Sequence, residues 1–193
     1  MQANEILLHI NDELKEFSRK IDPEQMELLA DELLSANTIY IAGAGRSGLI
    51  IRAFAMRLMH LGLKVHVVGD VTSPHAKAGD ILVIGSGSGE TKSMIAAAQK
   101  ARECGMRIAL NTFRENSTLS RLADVNLVLP GTSQKAQNVS GGEAAIHTIH
   151  SLQPMGSAYE QLSFLVYDTV IMLLMEKLGL SNDEMFERHA NIE

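Results

Sequence analysis

The chain has no tryptophan, and aromatic residues fill only 4% of its 193 positions. That scarcity argues against base-stacking platforms for nucleic acid and against aromatic clamps for carbohydrate. A basic surplus is also missing. Lys and Arg number 17 against 23 Asp and Glu, a net charge of -6, so there is no electrostatic footprint for DNA or RNA. A single cysteine, Cys104, excludes an internal disulfide and fits a reducing compartment, where it reads as a buried thiol rather than a nucleophile. No apolar run approaches about 18 residues without a polar break, so no membrane span is expected. The opening MQANEILLHINDELKEF mixes charged and apolar residues, unlike a secretory signal. These absences describe an acidic cytoplasmic protein with neither nucleic acid nor membrane as partner.

What is present is ordinary for a globular chain, with 46% hydrophobic and 21% charged residues. The length is that of one domain. Residues 1–193 are expected to form a single unit, with N-terminal helices over 1–36, a parallel α/β core over 37–130 and a C-terminal helix and tail over 153–193. Ile6, Leu7, Ile10, Leu14 and Phe17 share one face of a first helix, and Met26, Leu29, Leu33 and Leu34 serve a second. Asp22-Pro23-Glu24 reads as the start of that second helix. Strands then alternate with helices: Thr38–Ala42, Lys64–Val68, Asp80–Ile84, Arg107–Asn111 and Val125–Leu129, with helices from Ser47 to Leu61 and up to Glu103. Short apolar strands joined by helical crossovers imply a five-stranded parallel sheet covered on both faces, a three-layer αβα sandwich of flavodoxin-like form. Gly131–Leu152 reads as partly loop. A last long helix from near Pro154 to Leu178 is apolar nearly all round, which suggests burial in a subunit interface. The ten methionines read as core filler.

In such folds ligands bind beyond the carboxyl ends of the strands. Two glycine-rich turns lie there. Gly43-Ala44-Gly45-Arg46-Ser47-Gly48 follows a strand and opens a helix, and Asp70 stands 22 residues on, the outline of a dinucleotide fingerprint. A tight strand-to-helix turn also wants glycines for its own sake. The second turn, Gly85-Ser86-Gly87-Ser88-Gly89-Glu90-Thr91, changes the weighing. Gly87 and Gly89 let backbone N–H groups approach an anion, the helix N-terminus adds positive charge, and Ser86, Ser88 and Thr91 supply hydroxyls suited to a phosphate monoester. No lysine follows, so this is not a triphosphate loop. A serine-rich helix cap, with Glu90 complementing the dipole, is the plainer alternative.

The runs IAGAGRSGLIIRAFAMRLMHLGLKVHVVGD, AGDILVIGSGSGET, QPMGSAYEQ and ERHANIE closely resemble the 6-phospho-3-hexuloisomerase family, within the sugar isomerase (SIS) domain superfamily. The likeness extends from about Glu5 to the end; only Gly85 and the stretch Gln134–Thr148 depart from the pattern. It implies a homotetramer and a cofactor-free, metal-free interconversion of 3-hexulose 6-phosphate and fructose 6-phosphate in the ribulose monophosphate pathway of formaldehyde fixation. A hexulose-phosphate synthase would be a pathway neighbour only. Moving a carbonyl from C3 to C2 passes through a cis-enediol and needs a base whose pKa is raised by partial burial. The resemblance places that base at Glu160, with Glu143 as a lesser rival. It gives Ser47 a sugar hydroxyl and His189 a role in ring opening from a neighbouring subunit; Arg46, by its own chemistry, could contact phosphate or sugar oxygens or stand as a solvated charge in the turn. His147 and His150 could share a helical face, but no third metal ligand stands at a convincing spacing. Asp168 reads as an interface acid. The remaining alternatives are an isomerase of another sugar phosphate, a non-catalytic sugar-phosphate sensor and a nicotinamide-binding fragment.

Overall fold

A computed structural model describes residues 2–131 and 151–192. Two N-terminal helices, α1 (Ala3–Ser18) and α2 (Pro23–Ser35), precede β1 (Ile39–Gly43), α3 (Gly45–His60), β2 (Val65–Val67), β3 (Ile81–Gly85), α4 (Lys92–Glu103) and β4 (Arg107–Thr112). A short α5 (Thr118–Leu122), β5 (Val125–Val128), a long α6 (Ser157–Leu178) and a short α7 (Asn182–Phe186) complete the order. Asp22 caps α2 as its sequence suggests, its carboxylate accepting the Glu24 N–H at 3.0 Å. The sequence pattern missed α5, because its five residues are too few to show a period; Ser117 caps it, accepting from the Ser120 N–H at 3.0 Å.

The five strands lie in the order β2-β1-β3-β4-β5, and every pair is parallel. The expected sheet is therefore the observed one. Strand alternation sends Ile39, Ile41, Ile81, Val83, Ala109, Val125 and Leu127 to one face, where α1, α2, α3 and α6 build the larger core. Tyr40, Ala42, Leu82, Ile84, Ile108 and Leu110 point the other way, under α4 and α5. Both faces are covered, which explains why β1 and β3 are apolar without interruption. At one edge, the Val128 N–H donates to Gln25 Oε1 at 2.8 Å, so α2 satisfies part of the ladder that β5 would otherwise expose.

Helix α6 has the length and hydropathy of a membrane span, but half of it is buried against the other helices of its layer. Its all-round apolarity is thus only partly used by the core. Two expectations need correcting. Ile6 and Leu7 are exposed on the first turns of α1, which reaches the core only further along, at Leu14 and Phe17. Nor are the methionines chiefly core: Met106 and Met185 are buried, whereas Met56, Met59, Met155 and Met172 face outward.

Among the described glycines, a tight backbone approach joins β1 to α3. A Cβ placed on Gly48 would sit 2.7 Å from the Gly43 carbonyl oxygen. Because the obstacle is backbone, it cannot rotate aside. Gly48→Ala is expected to destabilise the fold by about 1–3 kcal/mol, as other overpacked sites do, read as a lower urea midpoint. An unchanged midpoint would mean that strand and helix can separate freely.

Candidate active site

The register that sets Gly43 opposite Gly85 ends β1 and β3 at the same level. Their crossovers leave in opposite directions, so the two glycine-rich turns stand side by side at a topological switch point. Ile51 packs between them, within 4 Å of a Cβ built on either Gly43 or Gly85. The N-termini of α3 and α4 both open at this rim, bringing free N–H groups and partial positive charge.

In the second turn, Ser86 is buried, and its hydroxyl lies 3.1 Å from that of Thr91. The Ser88 hydroxyl accepts the Glu90 N–H at 3.2 Å. The three hydroxyls are thus gathered on one small loop. The glycines between them answer to close packing as well as to ligand access. A Cβ on Gly87 would meet the Phe113 ring at 2.6 Å, and one on Gly89, whose φ is +63°, would overlap the Ser117 hydroxyl. Glu90 does not serve its own helix: its carboxylate accepts the Thr118 N–H at 2.9 Å, at the start of α5.

The first turn of α6 reaches the same rim. Tyr159 lies edge-on to Phe113 with ring centroids 5.3 Å apart, against the Gly87 backbone, and donates to the Asn111 carbonyl at 2.8 Å. Asn111, near the end of β4, is buried, and its side-chain amide lies against the Tyr167 hydroxyl. Burial holds both tyrosines well above the usual phenol range, so they remain neutral donors. Tyr159, Asn111 and Ser157 escaped sequence reading, although Ser157 lies within the QPMGS run.

Glu160 comes next in the chain, its side chain 18% exposed and its Oε2 3.3 Å from Arg46 Nη1. The same Arg46 nitrogen donates to Ser157 Oγ at 3.1 Å. Burial raises the Glu160 carboxyl above its ordinary value, and the Arg46 charge offsets part of that rise. Arg46 therefore joins the predicted base directly, a pairing the sequence did not show. Ser47 is half-buried in the first turn of α3.

His189 is elsewhere. Its ring lies 5.2 Å from that of His60, at the opposite end of α3. Arg46 and His60 stand 14 residues apart on one helix, or about 21 Å at the α-helical rise, so one chain does not bring His189 to Glu160. His60 is buried beside Arg57 and His189, and burial lowers its pKa. Asp70 pairs with Arg52 at 3.5 Å on the surface. Asp168 is exposed and lines a cleft with Arg57 and His60. Cys104 is half-buried at the end of α4. Glu143, His147 and His150 lie outside the described residues.

The SIS domain model matches residues 32–162. The chain is 42% identical over 193 residues to the 3-hexulose-6-phosphate isomerase of Bacillus subtilis, covering all of both chains. It is 40% identical to the enzyme of that name from Mycobacterium gastri, over 95% of this chain and 88% of that one. Among solved structures, a Methanococcus jannaschii protein whose function was inferred as 3-hexulose-6-phosphate isomerase superposes with a TM-score of 0.79. It is 32% identical, with 98% of this chain and 99% of that one covered.

Replacing Arg46 by alanine removes the charge that lowers the Glu160 pKa and leaves the burial that raises it. The Glu160 titration midpoint should then move to higher pH, read by carbon-13 NMR of the carboxyl. An unmoved midpoint would show that solvent already screens the pair.

Proposed function

The chain belongs to the SIS domain family, and we propose that it interconverts D-arabino-3-hexulose 6-phosphate and D-fructose 6-phosphate. Its full-length similarity to named 3-hexulose-6-phosphate isomerases makes it a sugar-phosphate isomerase. The observation that carries the finer reading is Glu160, a partly buried carboxylate of raised pKa on the rim shared with a hydroxyl-lined, glycine-rich turn.

In this reading the phosphate monoester enters the turn of Ser86, Ser88 and Thr91, taking backbone N–H bonds around Gly87 and Gly89. Ser47 holds a sugar hydroxyl. Glu160 removes the C2 proton of the 3-ketose, the hydroxyl proton passes from O2 to O3 across the cis-enediol, and the same carboxyl returns its proton to C3. Arg46 turns from Glu160 toward the sugar or phosphate oxygens as negative charge arrives. His189 assists ring opening from a neighbouring subunit of a homotetramer. Exposed apolar side chains on α3 and α6, among them Leu49, Met56, Phe164 and Met172, support association. A single SIS unit acting in the cytoplasm, within the ribulose monophosphate pathway, fits the one cysteine and the relatives' names.

Proton NMR of fructose 6-phosphate in deuterated water tests the reaction. The protein should form a 3-ketose and exchange the C3 proton, and Glu160→Gln should slow this by roughly 100- to 10,000-fold, the range for general-base catalysis, while still binding the sugar phosphate. Exchange at C1 would instead assign an aldose-forming isomerase. Saturable binding with an unchanged spectrum would assign a sensor.

The shared site has its own test. Glu160→Gln and His189→Ala chains, each impaired alone, should recover activity when co-expressed. Random assortment in a symmetric oligomer restores about a quarter of the sites. No recovery would return His189 to a structural part within its own chain.

A further inference from the structure

Glu13 lies midway along α1, far in sequence from every residue of the candidate site, and its carboxylate is engaged by the segment that precedes α6. Oε1 accepts the Leu152 N–H at 2.8 Å. Oε2 accepts the Ser151 hydroxyl at 3.1 Å and the Gln153 side-chain amide at 2.9 Å. The Ser151 hydroxyl in turn accepts the Gln153 N–H at 3.0 Å. Three donors from three consecutive residues converge on one carboxylate, so the segment is gripped in both position and orientation.

That segment leads directly into the first turn of α6. The Pro154 carbonyl accepts the Ser157 hydroxyl at 2.9 Å. Ser157 accepts from Arg46, and the same Arg46 nitrogen pairs with Glu160. Between Pro154 and Ser157 stands Met155 with φ +63°, a left-handed conformation that a non-glycine residue keeps only when its surroundings over-determine it. Docking of α1 does not require the carboxylate, since Leu14 and Phe17 already bury that helix against the core. The grip therefore acts on the partner segment.

We propose that Glu13 is a positioning residue for the isomerase reaction: by clamping residues 151–153 it fixes the turn through Met155 that aims Ser157, Arg46 and Glu160. The inference rests on Glu160 being the base. The clamp's effect falls on catalysis more than on affinity, because the turn after β3 that takes the phosphate in this reading is built without Glu13 and Arg46 leaves Glu160 once substrate is bound.

The test compares the wild-type chain, Glu13→Gln and the exchanged pair Glu13→Gln with Gln153→Glu. Glu13→Gln turns one acceptor into an NH2 that faces at least one donor whichever way the amide is turned; the exchanged pair restores one donor and one acceptor across the gap. With fructose 6-phosphate as substrate, Glu13→Gln should lose about 10-fold in kcat, as misplaced groups do, with KM within about twofold and an unchanged melting temperature. The exchanged pair should recover most of the loss. Wild-type kcat in Glu13→Gln, or a loss that the exchange does not repair, overturns the proposal. An inactive wild type would instead defeat the fructose 6-phosphate reading. The Glu160 carboxyl titration then still decides, since a released clamp loosens Arg46 and moves the midpoint up, and the exchanged pair moves it back. A midpoint indifferent to both variants overturns the clamp.

Discussion

The parallel register between β1 and β3 is the constraint on which the rest of the site depends. A slip of one residue would turn every side chain of a strand to the opposite face. Here two different cores are built on those faces, so such a slip would damage both. The register is therefore held by the whole layer structure, and its by-product is the alignment of Gly43 with Gly85. That alignment produces the adjacent turns, the two converging helix N-termini and the position of Ile51 between them. The candidate site is a boundary condition of the sheet, and small residues at the strand ends let the backbone turn close to its neighbours.

On this rim the behaviour of Glu160 is decided by two opposed effects. Arg46 supplies a counter-charge, but it is half exposed, and ion pairs reached by water are worth about 0–1 kcal/mol. Burial of the carboxylate acts without such screening, and it wins: the pKa is raised. In the proposed reaction such a carboxylate must give up its proton as readily as it takes one, which a carboxylate locked in a strong buried ion pair could not do. A weak, solvent-softened pair suits the chemistry better. It orients Glu160 in the free protein, and Arg46 can leave it at small cost when an anionic substrate enters.

The fold was largely legible in the sequence because its signals are local. Strand alternation, the Asp22-Pro23 start and the two Gly/Ser turns each declare themselves within a few residues. The Gly/Ser turn at the end of β3 was legible as a turn for the same reason. The pairing of Arg46 with Glu160 was not, because 114 positions separate them in the chain and only the packing of α6 against α3 brings them together. Glu13 is still more remote, and an acid on the first helix carries no pattern that distinguishes it from a solvated charge. Gly87 and Gly89 were legible as glycines but not in full: the Phe113 ring and Ser117, which exclude a Cβ, belong to a later loop.

The misplaced methionines bear on the remaining surface. Helix α6 buries Leu162, Val166, Val170 and Leu174 at helical spacing on the side it turns to the core. Phe164, Leu165 and Met172 stay outward, and Phe164 shares a cleft with Met56 of α3. A strip of this kind, continuous over two helices, is larger than scattered surface apolar residues require. Methionine suits a surface that must repack against a partner, since its unbranched chain adapts to uneven contacts. The strip is not wholly apolar: Arg57 and Asp168 lie within it, and His60 and His189 close its far end. A covering surface must therefore satisfy charge as well as exclude water, and a second copy of the same chain carries both kinds of group. Association through this face would cover the strip. It would also carry His189, which lies against His60 at the end of α3 remote from Arg46, onto the surface of another subunit.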